Sequence, residues 1–88
     1  MYRLDRMEAV FNSIRAERQR QAEKWGKQEH DLFTWLTILM EEVGEASQAA
    51  LHDVFGGSHA GTFYKEMLHV AAVAVQILES GYDVKREL

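Results

Sequence analysis

Glu66-Met67-Leu68-His69-Val70-Ala71-Ala72-Val73-Ala74-Val75-Gln76-Ile77-Leu78 is apolar on nearly every side of a helical wheel. A helix of that kind needs cover on most of its surface. The run predicts a helix from about Thr62 to Ser80, with Thr62 or Ser58 as its cap and Gly81 as its C-terminal stop. Glu66 falls on the wheel among Phe63, Val70, Val73 and Ile77, the most apolar sector. A carboxylate there must be paired, protonated or bound to a metal, because burying an isolated charge is prohibitively costly. His69 follows one turn on, with Gln76 in nearly the same direction. An Arg18–Glu66 ion pair is the main structural alternative to a ligand role, and a histidine at such a place is more often a satisfied core residue.

The cover must come from earlier in the chain. Leu32, Trp35, Leu36, Leu39, Val43, Ala46 and Ala50 form a broad apolar face, which predicts a helix from about Asp31 to Val54 capped by Asp31. It carries Glu41-Glu42-Val43-Gly44-Glu45, three carboxylates in five residues. On the wheel Glu42 lies at the edge of the apolar face, Glu45 further round and Glu41 beyond it. Glu42 and Glu45 are expected to face a partner helix, and Glu41 to be more peripheral. Like charges one turn apart destabilise a helix by a few tenths of a kcal/mol per pair, so water or a cation must offset them. A solvated acidic face is the plainer reading of these three alone. Gly44 costs about 1 kcal/mol against alanine inside a helix, which a close helix approach would explain.

A first helix, from about Tyr2 to Trp25, follows from Leu4, Met7, Val10, Phe11 and Ile14. Its stripe turns polar at Arg18, Gln21 and Trp25. These side chains either leave the core for solvent or line a polar cavity beside it. Gly26 is the expected stop, and the loop Trp25-Gly26-Lys27-Gln28-Glu29-His30 combines an aromatic plane with amide and imidazole groups suited to a nucleobase. As structure alone, Trp25 would cover the end of the core. Phe55-Gly56-Gly57-Ser58-His59-Ala60-Gly61 reads as a flexible connector, because it lacks the spacing of a phosphate loop and no strand precedes it. Tyr82 to Leu88 is expected to begin ordered and to fray, with room for a short fourth helix.

Together these elements predict one all-α domain over 1–88, an antiparallel bundle of three main helices. The 88 residues are 47% apolar. A monomer this small buries only about 60% of its unfolded surface, so the apolar third helix points to completion by self-association. The absence of cysteine excludes disulfides and thiolate metal sites and suits a reducing, cytoplasmic setting. No apolar run approaches the roughly 18 residues of a membrane span, and the N-terminus lacks the apolar core of a signal peptide. A formal net charge of −4 argues against a nucleic acid polymer as partner.

Two helices thus each offer ligand groups one turn apart, Glu42 with Glu45 and Glu66 with His69. Packed antiparallel, such pairs converge on a divalent ion. Mg²⁺ takes oxygen ligands, retains waters and is commonly shared with substrate phosphates. The acidic cluster would otherwise repel phosphates, so charge balance requires the metal.

These motifs resemble the all-α nucleoside triphosphate pyrophosphohydrolases, the MazG-like group. That family's pattern is E-E-x-x-E on one helix and E-x-x-D on the next. Here it reads Glu41-Glu42-Val43-Gly44-Glu45 and Glu66-Met67-Leu68-His69. Glu17-Arg18-Gln19-Arg20-Gln21, Lys24-Trp25-Gly26-Lys27-Gln28-Glu29-His30 and the alanine- and valine-rich run after Glu66 extend the likeness over about Glu17 to Glu79. The resemblance implies hydrolysis of an NTP or dNTP to monophosphate and pyrophosphate, in nucleotide-pool house-cleaning or control of nucleotide levels. It implies Mg²⁺, with Mn²⁺ as a substitute, held by Glu42, Glu45 and Glu66, with Glu41 a ligand or a group just behind the ligands, and one carboxylate as base. Arg18, Gln21, Lys24, Trp25, Gln28, His30 and Trp35 become the substrate-contact candidates, and a homodimer or homotetramer the expected assembly.

His69 departs from the pattern, standing where an aspartate is expected. An imidazole removes one negative charge and shifts preference towards Mn²⁺, Zn²⁺ or Fe; His69 is a candidate ligand or a lost one. Two other readings follow from it. One is a non-catalytic nucleotide- or protein-binding module with a degenerate metal site. The other is a carboxylate-bridged di-iron bundle, whose Glu-x-x-His spacing Glu66 and His69 match.

Overall fold

The computed structural model describes residues 4–81, and these form three α-helices without a strand. They are α1 (Leu4–Trp25), α2 (Leu32–Phe55) and α3 (Phe63–Glu79). The chain is therefore all-α, as the periodicities predict. Expectations for Tyr2 and for Tyr82 to Leu88, including the fourth helix, lie outside the described residues.

The helix ends follow from local chemistry. α1 stops at Gly26, whose φ of 69° is the left-handed conformation glycine tolerates and whose N–H reaches back to the Ala22 carbonyl. Asp31 caps α2: its carboxylate accepts from the Thr34 N–H at 2.8 Å. That bond and its backbone neighbours hold the Asp31 carboxyl below its ordinary value. Thr62 precedes α3 but does not cap it through its side chain; its hydroxyl donates instead to the His59 carbonyl at 2.7 Å. Ser58 likewise makes no cap, lying four residues before Thr62 in the connector.

The connector is more organised than a flexible link. His52 Nδ1 accepts from the His59 N–H at 3.0 Å, and Asp53 accepts from the Gly61 N–H at 2.7 Å. Gly57 is required here, because a Cβ would meet the His52 ring at 2.5 Å. The short connector folds α3 back along α2.

α3 packs against both α2 and α1, whereas α1 and α2 do not pack on each other directly. The apolar run found in the sequence is thus the shared element of the bundle. The buried positions are Ala72, Val73 and Gln76 of α3, Trp35, Ala46 and Ala49 of α2, and Gln21 of α1. Among the described residues Trp35 is the one large side chain buried almost completely, at 2% exposure. Small residues dominate the rest of the core, so the helices approach closely over little apolar volume. Many large apolar groups stay exposed, among them Phe11, Phe33, Met40, Phe55, Met67 and Leu78. Among the described residues no helix is long and apolar enough to cross a membrane.

Candidate metal centre

α2 and α3 bring together the four ligand candidates that their spacing marks out. Glu42, Glu45, Glu66 and His69 each offer one ligand atom, and all four atoms lie within 4.8 Å of one another. The helical period explains this: Glu42 and Glu45 lie one turn apart on α2, Glu66 and His69 one turn apart on α3. Glu45 is exposed and the other three are half-buried. Glu41, next to Glu42 in the chain, is exposed and is not one of the four.

His69 is the hub. Its Nδ1 lies 3.4 Å from Glu66 Oε2 and 3.7 Å from Glu42 Oε2, and its Nε2 lies 3.6 Å from Glu17 Oε2. Glu17 comes from α1 and is a member that spacing on α2 and α3 does not reveal. The signal was present in the α1 stripe, since Glu17 follows Ile14 by three residues and precedes Gln21 by four. Arg20 grips the Glu17 carboxylate with two bonds of 2.8 and 2.7 Å, and Gln21 Nε2 donates to it at 3.2 Å. The Arg20 hydrogen bonds hold the Glu17 carboxyl below its ordinary value, against the partial burial that would raise it.

Glu42 is displaced the other way. Burial pushes its carboxyl above the ordinary value, the Glu45 and Glu66 charges add to the rise, and His69 opposes it. Glu42 Oε2 and Glu66 Oε2 are both buried and accept no hydrogen bond among the described residues. A buried acceptor left without a partner costs about 1–3 kcal/mol, more when charged. Two orphaned carboxylate oxygens beside a third carboxylate fit a hard divalent cation, which supplies the missing charge to both. The imidazole extends the fit to Mn²⁺.

The Arg18–Glu66 pair, the main structural alternative to a ligand role, does not form. Arg18 reaches Glu79 instead, through Nε and Nη2 at 2.9 Å each. Among the described residues the one basic side chain paired with Glu66 is therefore His69.

Two helical turns from the cluster lies a cavity of about 490 Å³. Its walls include Arg18 of α1, Gln28 and His30 of the loop, Trp35 of α2, and Gln76 and Glu79 of α3. Gln76 is seven residues beyond His69 and Trp35 seven before Glu42, a rise of about 10 Å on each helix. The His30 ring meets the Trp35 ring edge-on at 4.8 Å, and Gln76 Nε2 faces Gln28 Oε1 at 3.5 Å. Arg18 Nη1 is buried without a hydrogen-bond acceptor.

Four of the seven substrate-contact candidates thus line one cavity: Arg18, Gln28, His30 and Trp35. The other three do not. Gln21 is buried and spends its amide on Glu17. Lys24 lies over the Trp25 ring at 4.7 Å, and both are exposed, so Trp25 does not cover the core end. Gln76 and Glu79 are cavity residues that the sequence did not single out as substrate contacts. No protein-family model, curated protein or solved structure matches the chain.

Proposed function

We propose that this chain hydrolyses nucleoside or deoxynucleoside triphosphates to the monophosphate and pyrophosphate, using Mg²⁺ or Mn²⁺. The observation that carries the reading is the convergence of Glu42, Glu45, Glu66 and His69 within 4.8 Å, with two buried carboxylate oxygens left unpartnered. The cavity adds support. Its volume suits a small-molecule site, and its distance from the cluster is about the reach of a nucleoside. The resemblance of the acidic motifs and the Lys24-Trp25-Gly26 loop to the MazG-like group points the same way.

In this reading Glu42, Glu45 and Glu66 hold the cation, with His69 as a fourth donor. When bound, the ion neutralises triphosphate charge and lowers the pKa of a bound water. The side chains do the rest. Glu17 fixes the His69 ring from the far side, and Arg20 fixes Glu17. Arg18 offers its unpartnered Nη1 to substrate oxygens, while Glu79 sets the direction of the guanidinium. Trp35 and His30 supply aromatic surface for the base, and the Gln28 and Gln76 amides supply donors and acceptors for its edge. Water attacks the α-phosphorus, the bond from that phosphorus to the α–β bridging oxygen breaks, and pyrophosphate leaves with the electron pair. The water proton passes to a carboxylate, for which exposed Glu41 stands beside the ligands.

The test is to incubate pure protein with a panel of NTPs and dNTPs plus Mg²⁺ or Mn²⁺ and to assay pyrophosphate. Turnover that EDTA abolishes supports the reading. Nucleotide binding without turnover under any metal favours a second one, a non-catalytic nucleotide- or protein-binding module. The observation on its side is His69, an imidazole where the family pattern has an aspartate. Cytoplasmic house-cleaning of aberrant nucleotides is the role such an activity would serve.

A further inference from the structure

His69 is held from two sides, and the two sides differ in kind. On the Nδ1 side lie Glu66 Oε2 at 3.4 Å and Glu42 Oε2 at 3.7 Å. Both oxygens are buried and accept no hydrogen bond among the described residues. On the Nε2 side lies Glu17 Oε2 at 3.6 Å. That oxygen already accepts from Arg20 Nη2 at 2.7 Å and from Gln21 Nε2 at 3.2 Å. The imidazole thus stands between two unpartnered acceptors, from α2 and α3, and one partnered acceptor from α1.

That division decides what each nitrogen can do. A neutral imidazole carries one N–H and one lone pair. A cation goes to the oxygens that lack other partners, and Nδ1 is the nitrogen beside them. The Glu17 carboxylate is a poor ligand by comparison. Its charge is shared with a guanidinium, and the two bonds its Oε2 accepts use the directions a metal ion would need. It still favours a proton on the nitrogen it faces, because its charge is negative. At 3.6 Å the contact is an ion-pair distance rather than a hydrogen bond, so the effect is exerted through charge. Glu17 and His69 side chains are only 11% and 17% exposed, so solvent blunts that charge little.

The orientation of Glu17 is itself informative. A pair with Arg20 one turn on could sit wholly in solvent. Instead Arg20 is half exposed while Glu17 is nearly buried, on the inner side of the pair and towards His69.

We propose that Glu17 is a positioning residue for the metal centre: clamped by Arg20, it keeps the His69 N–H on Nε2 and so commits the Nδ1 lone pair to the cation. The centre is then a mixed oxygen–nitrogen site that prefers Mn²⁺ or Zn²⁺ to Mg²⁺. That preference depends on α1, a helix that contributes no ligand. The inference rests on the metal binding in the proposed function and is independent of the reaction the cation serves.

The test needs no nucleotide. Zn²⁺ is added to ¹⁵N-labelled protein, and the imidazole nitrogens are read by long-range ¹H–¹⁵N correlation NMR. The His69 signals are identified by their loss in His69→Gln. The expected spectrum has Nδ1 metal-bound and Nε2 protonated. In parallel, calorimetry compares Mn²⁺ and Mg²⁺ binding. Glu17→Gln should lower the ratio of Mn²⁺ to Mg²⁺ affinity by about 10-fold, and should leave that ratio unchanged in a His69→Gln background. The ratio cancels the loss of one negative charge, which both ions feel alike. A merely structural role for Glu17 would lower both affinities together. Metal on Nε2, His69 signals that Zn²⁺ does not move, or a ratio that Glu17→Gln leaves unchanged overturns the inference. Where Glu17→Gln does not fold, the spectrum of the unmodified chain decides. Binding of no divalent ion overturns both this inference and the proposed activity, whereas metal-dependent turnover with His69 unmoved overturns this inference alone.

Discussion

Replacing Glu42 with glutamine should stabilise the metal-free protein and abolish its response to metal. Glu42, Glu45 and Glu66 place carboxylate oxygens within 4.8 Å of one another. At that separation two unit charges repel by about 1 kcal/mol in water and about 3.5 kcal/mol at an effective dielectric constant of 20. Glu45 is exposed and Glu66 half-buried, so a value near the lower end applies to the first pair and a larger one to the second. Glutamine keeps the shape, removes the charge and offers an N–H₂ to the unpartnered Glu66 oxygen. A gain of about 1 kcal/mol raises the midpoint of a domain this size by about 4–8 °C.

The sign with pH follows from the raised Glu42 pKa. Its contribution to wild-type stability is present below the ordinary carboxylate value of 4.5 and is lost as pH rises through the folded value. The variant's advantage should therefore be absent near pH 4 and full at pH 7. Metal reverses the order. A cation at 100 times its dissociation constant adds about 2.7 kcal/mol to the wild type, and Glu42→Gln should lose most of that increment. Thermal melts followed by circular dichroism, with EDTA and across a Mg²⁺ and Mn²⁺ titration, read both effects. A variant less stable than wild type in EDTA at pH 7, or one that retains the full metal increment, refutes the reasoning.

Glu66→Gln should reduce pyrophosphate release by more than about 100-fold with unchanged far-ultraviolet dichroism, because it removes a ligand from the half-buried side of the cluster. His69→Asp should raise Mg²⁺-supported turnover relative to Mn²⁺, since it restores an oxygen donor and a negative charge; an unchanged metal preference in steady-state assays counts against His69 as a ligand. Arg20→Ala should cost little stability at pH 7, because Arg20 is half exposed and solvent screens its pair with Glu17. Glu17 is held below its ordinary value, so its stabilisation is present above that value and lost as pH falls through the folded one; urea titrations should show the wild-type advantage over Arg20→Ala vanishing towards pH 3.

The helices and four of the five residues at the centre, all but Glu17, were legible in the sequence because they obey the helical period. Asp31 as a cap, Gly26 as a stop, and the pairs Glu42/Glu45 and Glu66/His69 are local patterns, and the structure keeps them. What one helix does to another was not legible. Arg18 found Glu79, not Glu66, because the crossing of α1 over α3 decides which carboxylate a long side chain meets. Glu17 entered the cluster for the same reason. Trp25 and Trp35 sit ten residues apart with similar local promise, yet one is stacked outside by Lys24 and the other lies buried against His30. The connector looked flexible by its glycines, but His52 and Asp53 behind it accept its N–H groups. The close helix approach expected at Gly44 is not found among the described residues, where a Cβ would meet nothing within 4 Å.

The central claim is that the carboxylate cluster serves metal-dependent cleavage between the α- and β-phosphates. The most direct measurement follows product identity by ³¹P NMR as purified protein meets each NTP and dNTP with Mg²⁺ or Mn²⁺. The account predicts nucleoside monophosphate and pyrophosphate in equal amounts, formed only with divalent metal. Release of orthophosphate and a diphosphate, or no product from any nucleotide with either metal, would contradict it.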